Sequence, residues 1–480
     1  MQGSNPSATE RDAAAVAGCR AMNLELADDR VPARGLTHCA PARCRDPAQE
    51  EVGSMTEYLN ETVFTWGATP LKFGAGAVDE IGWDLAQLGA RRVLIITDPD
   101  VAATGVPQRV ADAAKAGGLT VEIYDRVHVE PTDRSVRDAV EAASESTWDG
   151  FIGVGGGSAI DTAKAVNLLT TYPADLDDYV NKPIGRGKAP DGPLKPLVAV
   201  PTTAGTGSET TPVCVMDFLD LQVKSGISHS HLRPNLAVID PLLTLSMPPE
   251  VTAASGMDVL CHALESYTAR PFHSFPRHTP ETRVAYNGSN PISDAWTEQA
   301  LHLLARSFRK AVLNGGDLEA RTDMMLAATF AGMGFGNAGV HVPHACAYPI
   351  AGRVREYRPA NYPQEVALVP HGESVSLTAP AAFRFTFPTD PGKHLRAADI
   401  LDPRAQQATA DERERLPAAL TSLMRDIGVP NGLSGVGYGR SDIGALVEGT
   451  MQQQRLLAVA PRTVHDEDVE AVLTESLENW

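Results

Sequence analysis

Asp258 and His262 stand four residues apart in the segment GMDVLCHALES (256–266). At about 100° per residue, a helix carries both on one face, one turn apart. A carboxylate and an imidazole so placed can share one divalent ion, although the same pair also suits a hydrogen bond along a helix surface. Downstream, GNAGVHVPHACAYPI (336–350) holds His341 and His344, and LVPHGES (368–374) holds His371. These histidines sit among apolar and small residues, where an unpaired imidazole is costly. One Asp with three His makes a mixed oxygen and nitrogen shell suited to Fe(II) or Zn(II). Such an ion polarises an alcohol or carbonyl oxygen.

A second set of residues points to a phosphate-bearing cofactor. In Gly153-Val-Gly-Gly-Gly-Ser158, glycines stand between a strand and a helix. There the backbone N–H groups can approach a phosphate, helped by the helix N-terminus. The spacing is not G-x-G-x-x-G, and the turn could equally be a tight connection. Pro201-Thr-Thr-Ala-Gly-Thr-Gly-Ser-Glu209 gathers small hydroxyl and glycine residues after another buried strand, as donors to a pyrophosphate or as a helix cap. Asp98 follows the run VLIIT (93–97). A carboxylate there can accept from a ribose 2′-hydroxyl and would repel a 2′-phosphate, favouring NAD over NADP.

The elements that must hold these residues come in two textures. From Thr62 to about Asp240, strands (Val93–Thr97, Thr120–Tyr124, Phe151–Val154, Leu197–Val200) alternate with helical patterns around 108–116, 135–143 and 158–169. That order predicts a parallel sheet covered on both faces, with ligands at the carboxyl ends of its strands. After Pro241, helical patterns dominate: 253–269, 293–312, 318–332 and 372–383. We therefore expect an α/β N-terminal dinucleotide-binding domain over 55–243 and an all-α C-terminal metal domain over 244–480. The active site should lie in the cleft between them. Residues 1–54 are Ala-, Arg- and Pro-rich and read as a disordered N-terminal extension. His38, Cys39 and Cys44 have too few companions for a metal knuckle, and Met55 is a candidate start of translation.

Composition narrows the function classes. Sixty acidic against 41 basic side chains give a net charge of −19, which disfavours nucleic acid and anionic membranes as partners. No apolar run reaches the roughly 18 residues that span a bilayer. Six scattered cysteines fit a reducing compartment, and the expectation is a cytoplasmic protein.

Taken together, GGGSAIDTAK (155–164), PTTAGTGSE (201–209), GMDVLCHALES, the His344 segment and PHG (370–372) resemble the iron-containing alcohol dehydrogenase family from about residue 58 to the C-terminus. The resemblance implies a dehydroquinate synthase-like fold and a homo-oligomer. It places the metal ligands on Asp258, His262, His344 and His371, preferring His344 over His341 by its spacing to Pro349. It places nicotinamide-dinucleotide contacts on Asp98, Gly156, Gly157, Ser158, Asp161, Thr202, Thr203, Thr206 and Lys224. Fe(II) is the expected ion, with Zn(II) the alternative. Tyr348 stands where many members have a second His. With the insert RPFHSFPRHTPETRVAYNGSNPISD (270–294), it is similar to the hydroxyacid–oxoacid transhydrogenase branch. That branch oxidises 4-hydroxybutyrate to succinate semialdehyde while reducing 2-oxoglutarate to 2-hydroxyglutarate, through NAD that stays bound.

Carboxylate substrates need cationic anchors, and we expect one among Arg270, Arg277, Arg283, Arg353, Arg355 and Arg358. Tyr348 or a water would carry the proton. The rival readings are an NAD-dependent alcohol dehydrogenase acting on small alcohols or aldehydes, a metal-dependent lyase similar to dehydroquinate synthase, and a non-catalytic metal scaffold.

Overall fold

The computed structural model describes residues 60–480 apart from 222, 363, 366 and 404–409. Contacts divide the chain into Met1–Met55 and Thr56–Trp480. The expectations attached to residues 1–54, to His38, Cys39 and Cys44, and to Met55 lie outside the described residues.

Among the described residues, β1 (Leu71–Phe73), β2 (Arg92–Ile96), β3 (Thr120–Tyr124), β4 (Gly150–Gly155), β5 (Leu197–Pro201), β6 (Val213–Phe218), β7 (Val223–Ser228) and β8 (Leu236–Ile239) form two sheets. One is parallel, in the order β1-β8-β5-β4-β2-β3; the other is an antiparallel β6–β7 hairpin. The run of apolar residues in β2 follows from burial on both faces. Val93 and Ile95 join one core with Val110 and Ile152, while Leu94 and Ile96 join another with Ala139 and Val166. Each such side chain contributes roughly 1.5–3 kcal/mol on leaving water.

The helices α1 (Ile81–Gln87), α2 (Pro99–Ala103), α3 (Val106–Ala116), α4 (Asp133–Ser144), α5 (Gly157–Thr171) and α6 (Leu176–Tyr179) interleave with the strands. Short polar side chains set their starts: Asp98 caps α2 through Val101 N–H, and Thr132 with Ser135 forms a capping box on α4. The N-terminus of α5 has no side-chain cap. Its first N–H groups therefore stay available at the end of β4.

The remaining helices pack around one apolar core. They begin with α7 (Pro249–Thr268), α8 (Pro291–Leu313), α9 (Leu318–Ala338), α10 (Val342–Gly352), α11 (His371–Ser376), α12 (Ala379–Thr386) and α13 (Pro391–Leu401). Close approach rests on glycine: a Cβ on Gly256 of α7 would lie 2.2 Å from the Phe308 ring of α8. Among the described residues, no helix is long and apolar enough to cross a membrane. The expected boundary at 243/244 falls inside the turn Pro241–Thr244, between β8 and α7.

Three features escaped the sequence reading: β1, β8 and the β6–β7 hairpin. β1 and β8 are only three and four residues long. The hairpin interrupts its apolar pattern with Asp217 and Lys224, which face each other across the strands. Such short or charged strands lack a clean two-residue alternation.

Candidate metal and cofactor site

Helix α7 presents Asp258, His262 and Glu265 at intervals of four and three residues, and all three are buried. His344 enters from α10 and His371 from the first position of α11. The Asp258 Oδ1 lies 3.6 Å from His262 Nε2, 3.5 Å from His344 Nε2 and 3.8 Å from His371 Nε2. The ligand atoms of Asp258, His344 and His371 all fall within 4.8 Å of one another; His262 lies outside that tighter group. It stacks instead between Phe335, at 3.9 Å between ring centres, and His344, at 4.6 Å.

Gly372 makes this convergence possible. A Cβ there would stand 1.9 Å from the Ala254 carbonyl oxygen and 2.9 Å from Asp258 Cβ, so only glycine lets α11 lie against α7.

Asp258 Oδ1, His262 Nδ1 and His344 Nε2 are buried without hydrogen-bond partners. Each such orphan costs roughly 1–3 kcal/mol. Oxygen and imidazole nitrogen atoms converging in this way form a donor set that a divalent cation satisfies. The residues present therefore fit a metal ion.

Glu265, which the sequence reading missed, sits behind the ligands. Its Oε1 accepts from His344 Nδ1 at 2.6 Å, and its Oε2 accepts from the backbone N–H of His341 at 2.6 Å. Burial raises the Glu265 carboxyl, but His344 and His341 together outweigh it and the net shift is downward. For His344, burial lowers the imidazole while Glu265 and Asp258 push it up to about 9. When the ring is neutral and holds a metal, the contact fixes the tautomer that leaves Nε2 facing Asp258. The signal for Glu265 was its place three residues after His262 on the same face. His341 is engaged elsewhere: its Nδ1 accepts from Val342 N–H at 2.8 Å, and its Nε2 meets Thr268 Oγ1 at 3.1 Å.

The expected cofactor residues gather at the carboxyl ends of β2, β4 and β5. Asp98 spends Oδ1 on the Val101 N–H at 2.8 Å, and burial raises its pKa. Gly157 faces Thr206: a Cβ would lie 2.6 Å from the threonine methyl, so the two loops touch only because the position is glycine. Gly156 abuts Thr203, and Thr202 N–H donates to the Gly155 carbonyl at 3.0 Å. Ser158 Oγ accepts from Glu130 N–H at 3.1 Å. Asp161 lines the candidate cavity and is also bonded within the chain. It bonds to Ser208 Oγ, to Lys164 Nζ at 3.2 Å and to Val215 N–H at 2.9 Å. The fully buried Lys164, unanticipated from sequence, also donates to Ser208 Oγ and the Val213 carbonyl, each at 2.6 Å.

Lys224, from β7, is held by Glu130 at 2.5 Å and by its cross-strand neighbour Asp217 at 3.2 Å. Burial lowers the ammonium, yet the two carboxylates outweigh it and keep the group charged. Both sets of residues meet in one cavity of about 120 Å³, lined by Gly157, Ser158 and Lys224 on one side and by Asp258, His344, Tyr348 and His371 on the other.

None of the six expected arginines lines that cavity. Arg270 is tied to Ser274, Arg277 to Thr62, Arg283 to Glu61, Arg355 to Asp442 and Arg358 to the Gln364 carbonyl. The insert turns its arginines toward local partners, and they are used to pin it down. The arginine that does line the cavity is Arg455, which the sequence reading passed over because no motif surrounds it.

With this geometry established, two family models match the chain. One, described as iron-containing alcohol dehydrogenase, covers residues 68–241; the other, the C-terminal part of the Fe-containing alcohol dehydrogenase family, covers 277–477. The mitochondrial hydroxyacid-oxoacid transhydrogenase of Bos taurus is 46% identical over 435 residues, which is 90% of this chain and 92% of the relative. A 1,3-propanediol oxidoreductase structure superposes with a TM-score of 0.75 at 30% identity, covering 86% of this chain and all of that one. A sulfoacetaldehyde reductase from Bifidobacterium kashiwanohense, solved with NAD+, gives 0.70 at 26% identity, covering 86% of this chain and 98% of its own. The curated transhydrogenases are mitochondrial, which overturns the expectation of a cytoplasmic protein. Sparse cysteine reports a reducing environment and does not name the compartment.

Proposed function

The chain belongs to the iron-containing alcohol dehydrogenase family, and on that footing we propose that it is a hydroxyacid–oxoacid transhydrogenase. It is an oxidoreductase acting on CH–OH groups, and a nicotinamide dinucleotide and a divalent metal follow from its family. The proposed reaction oxidises 4-hydroxybutyrate to succinate semialdehyde and reduces 2-oxoglutarate to 2-hydroxyglutarate. The carrying observation is the likeness to a transhydrogenase along nearly the whole of both chains. The proposed ion is Fe(II), with Zn(II) accepted by the same donors.

Asp258, His262, His344 and His371 would hold the ion. Gly156, Gly157, Ser158, Thr202, Thr203 and Thr206 would receive the dinucleotide, with Asp98 toward its ribose. Asp161 would join them from the same cavity while holding the loop at Ser208. When bound, the ion supplies Lewis acidity to the substrate oxygen and the nicotinamide supplies the redox chemistry. The chain's own groups do the rest. Glu265 holds the His344 ring in its working tautomer. Glu130 and Asp217 balance Lys224 where it faces the cavity. The Tyr348 hydroxyl, pushed up to about 12 by burial, keeps its proton at neutral pH and can donate a hydrogen bond into the cavity.

The test is an anaerobic incubation of the purified protein with Fe(II), 4-hydroxybutyrate and 2-oxoglutarate, without added NAD. Formation of 2-hydroxyglutarate is the expected result. Activity that appears only on adding NAD would instead favour a plain NAD-dependent alcohol dehydrogenase. That second reading draws on the likeness to 1,3-propanediol oxidoreductase.

A further inference from the structure

The reacting carbon and one carboxylate are separated by the same distance in both proposed substrates. In 4-hydroxybutyrate two methylenes lie between the carbinol carbon and the carboxylate. In 2-oxoglutarate two methylenes lie between the keto carbon and the distal carboxylate. A single cation at a fixed distance from the metal ligands could therefore read both molecules in turn.

Apart from the ligand histidines, two cationic side chains line the cavity, Lys224 and Arg455. Lys224 is already balanced by Glu130 at 2.5 Å and Asp217 at 3.2 Å. A third carboxylate brought to it would meet net negative charge. Arg455 is different. Among the described residues no carboxylate pairs with it, and its guanidinium lies 4.9 Å above the Tyr286 ring. Stacking on a ring orients a guanidinium and leaves its N–H edge free to grip a carboxylate bidentately.

The placement of Arg455 is built, not incidental. It sits on the short helix Gln454–Leu457, and the adjoining Val459 carbonyl accepts from the Arg270 N–H at 2.9 Å. Tyr286 belongs to the 270–294 insert. The next two residues of the insert are pinned to the end of α9, Asn287 N–H donating to Asn337 O at 2.9 Å and Gly288 N–H to Ala338 O at 3.1 Å. Gly339 admits the ring closely, since a Cβ there would lie 3.1 Å from Tyr286. The insert thus supplies the ring on which the arginine rests. Tyr348 lines the same cavity as Arg455 and Asp258.

We propose that Arg455 binds the distal carboxylate of the substrate in both half-reactions and so selects hydroxyacids and oxoacids over simple alcohols. The inference rests on the transhydrogenase reading above.

The experiment compares wild type, Arg455→Gln and Arg455→Lys as metal- and nucleotide-loaded proteins. Single-turnover reduction of the bound nucleotide is followed with 4-hydroxybutyrate or 1-butanol, and its reoxidation with 2-oxoglutarate or butanal. Binding of glutarate, which cannot react, is measured by calorimetry. Arg455→Gln should lower both acid-substrate rate constants and glutarate affinity by about 10- to 100-fold, the usual scale for a charged hydrogen-bonded contact. The butanol and butanal rates should stay within about twofold, and Arg455→Lys should fall between. If wild type prefers 4-hydroxybutyrate and Arg455→Gln keeps that preference, the Arg455 assignment is wrong and the function stands. Equal losses for acid and alcohol would likewise overturn the assignment, as a packing effect. If wild type shows no preference for the acid, the transhydrogenase reading fails and the carboxylate anchor fails with it.

Discussion

His344 Nδ1 and Glu265 Oε1 meet at 2.6 Å, with both side chains buried, while the opposite nitrogen of the same ring faces Asp258. One carboxylate thus orients an imidazole from behind as another shares its front. Glutamine offers one acceptor oxygen where this carboxylate uses two, so in Glu265→Gln either His344 Nδ1–H or the His341 N–H is left buried without a partner. Glu265→Gln is expected to weaken metal binding by about 10- to 100-fold. Metal content after dialysis against graded chelator measures it, and undiminished retention would contradict the role.

Gly372 carries a steric prediction. In Gly372→Ala the new methyl meets the Ala254 carbonyl, so α11 must move away from α7 and carry His371 with it. Overpacking of this kind costs roughly 1–3 kcal/mol. The variant should show both a lowered Tm and reduced metal content. Gly352→Ala is the control, because nothing stands within 4 Å of its Cβ position.

His341 yields a pH dependence. Burial pushes its imidazole down to about 4, against the pull of Glu265, from an ordinary value of 6.5. The folded chain therefore binds fewer protons than the unfolded chain between those values. Stability from this residue is fully present above about pH 6.5 and is lost as pH falls toward 4, by roughly 2–4 kcal/mol. Urea unfolding of metal-free protein across that window should show the decline. In His341→Asn the decline should be shallower; an identical slope would assign the acid sensitivity to other groups.

Tyr348 offers a test of donor against base. With its hydroxyl held near 12, no titration of the phenol falls in the working range. Tyr348→Phe should lower kcat by up to about 100-fold while leaving the shape of the pH–rate profile unchanged. Loss of a basic limb in the variant would mean that the phenolate takes part.

The sequence by itself determined which residues could become ligands and four of the six strands of the parallel sheet, β2, β3, β4 and β5. Asp258 and His262 must share a helix face, because helical periodicity is local. The run at 93–97 must be a buried strand, because β-branched residues without alternation suit a sheet covered on both sides. The glycine turns at 153–158 and 201–209 were legible for the same local reason. Tertiary structure alone decided the partnerships. His341 and His344 are three residues apart in similar surroundings, and only packing against Glu265, Thr268 and Asp258 separates a held imidazole from one facing the site. Lys224 and Asp217 became neighbours through hairpin register, and Asp161 reached Ser208 and Val215 through the fold. The arginines changed most: none of the six suggested by motif lines the cavity and five are bonded to other partners, while Arg455, far along the chain, reaches it. Which charge faces a cavity depends on contacts between distant segments, and local pattern carries no information about them.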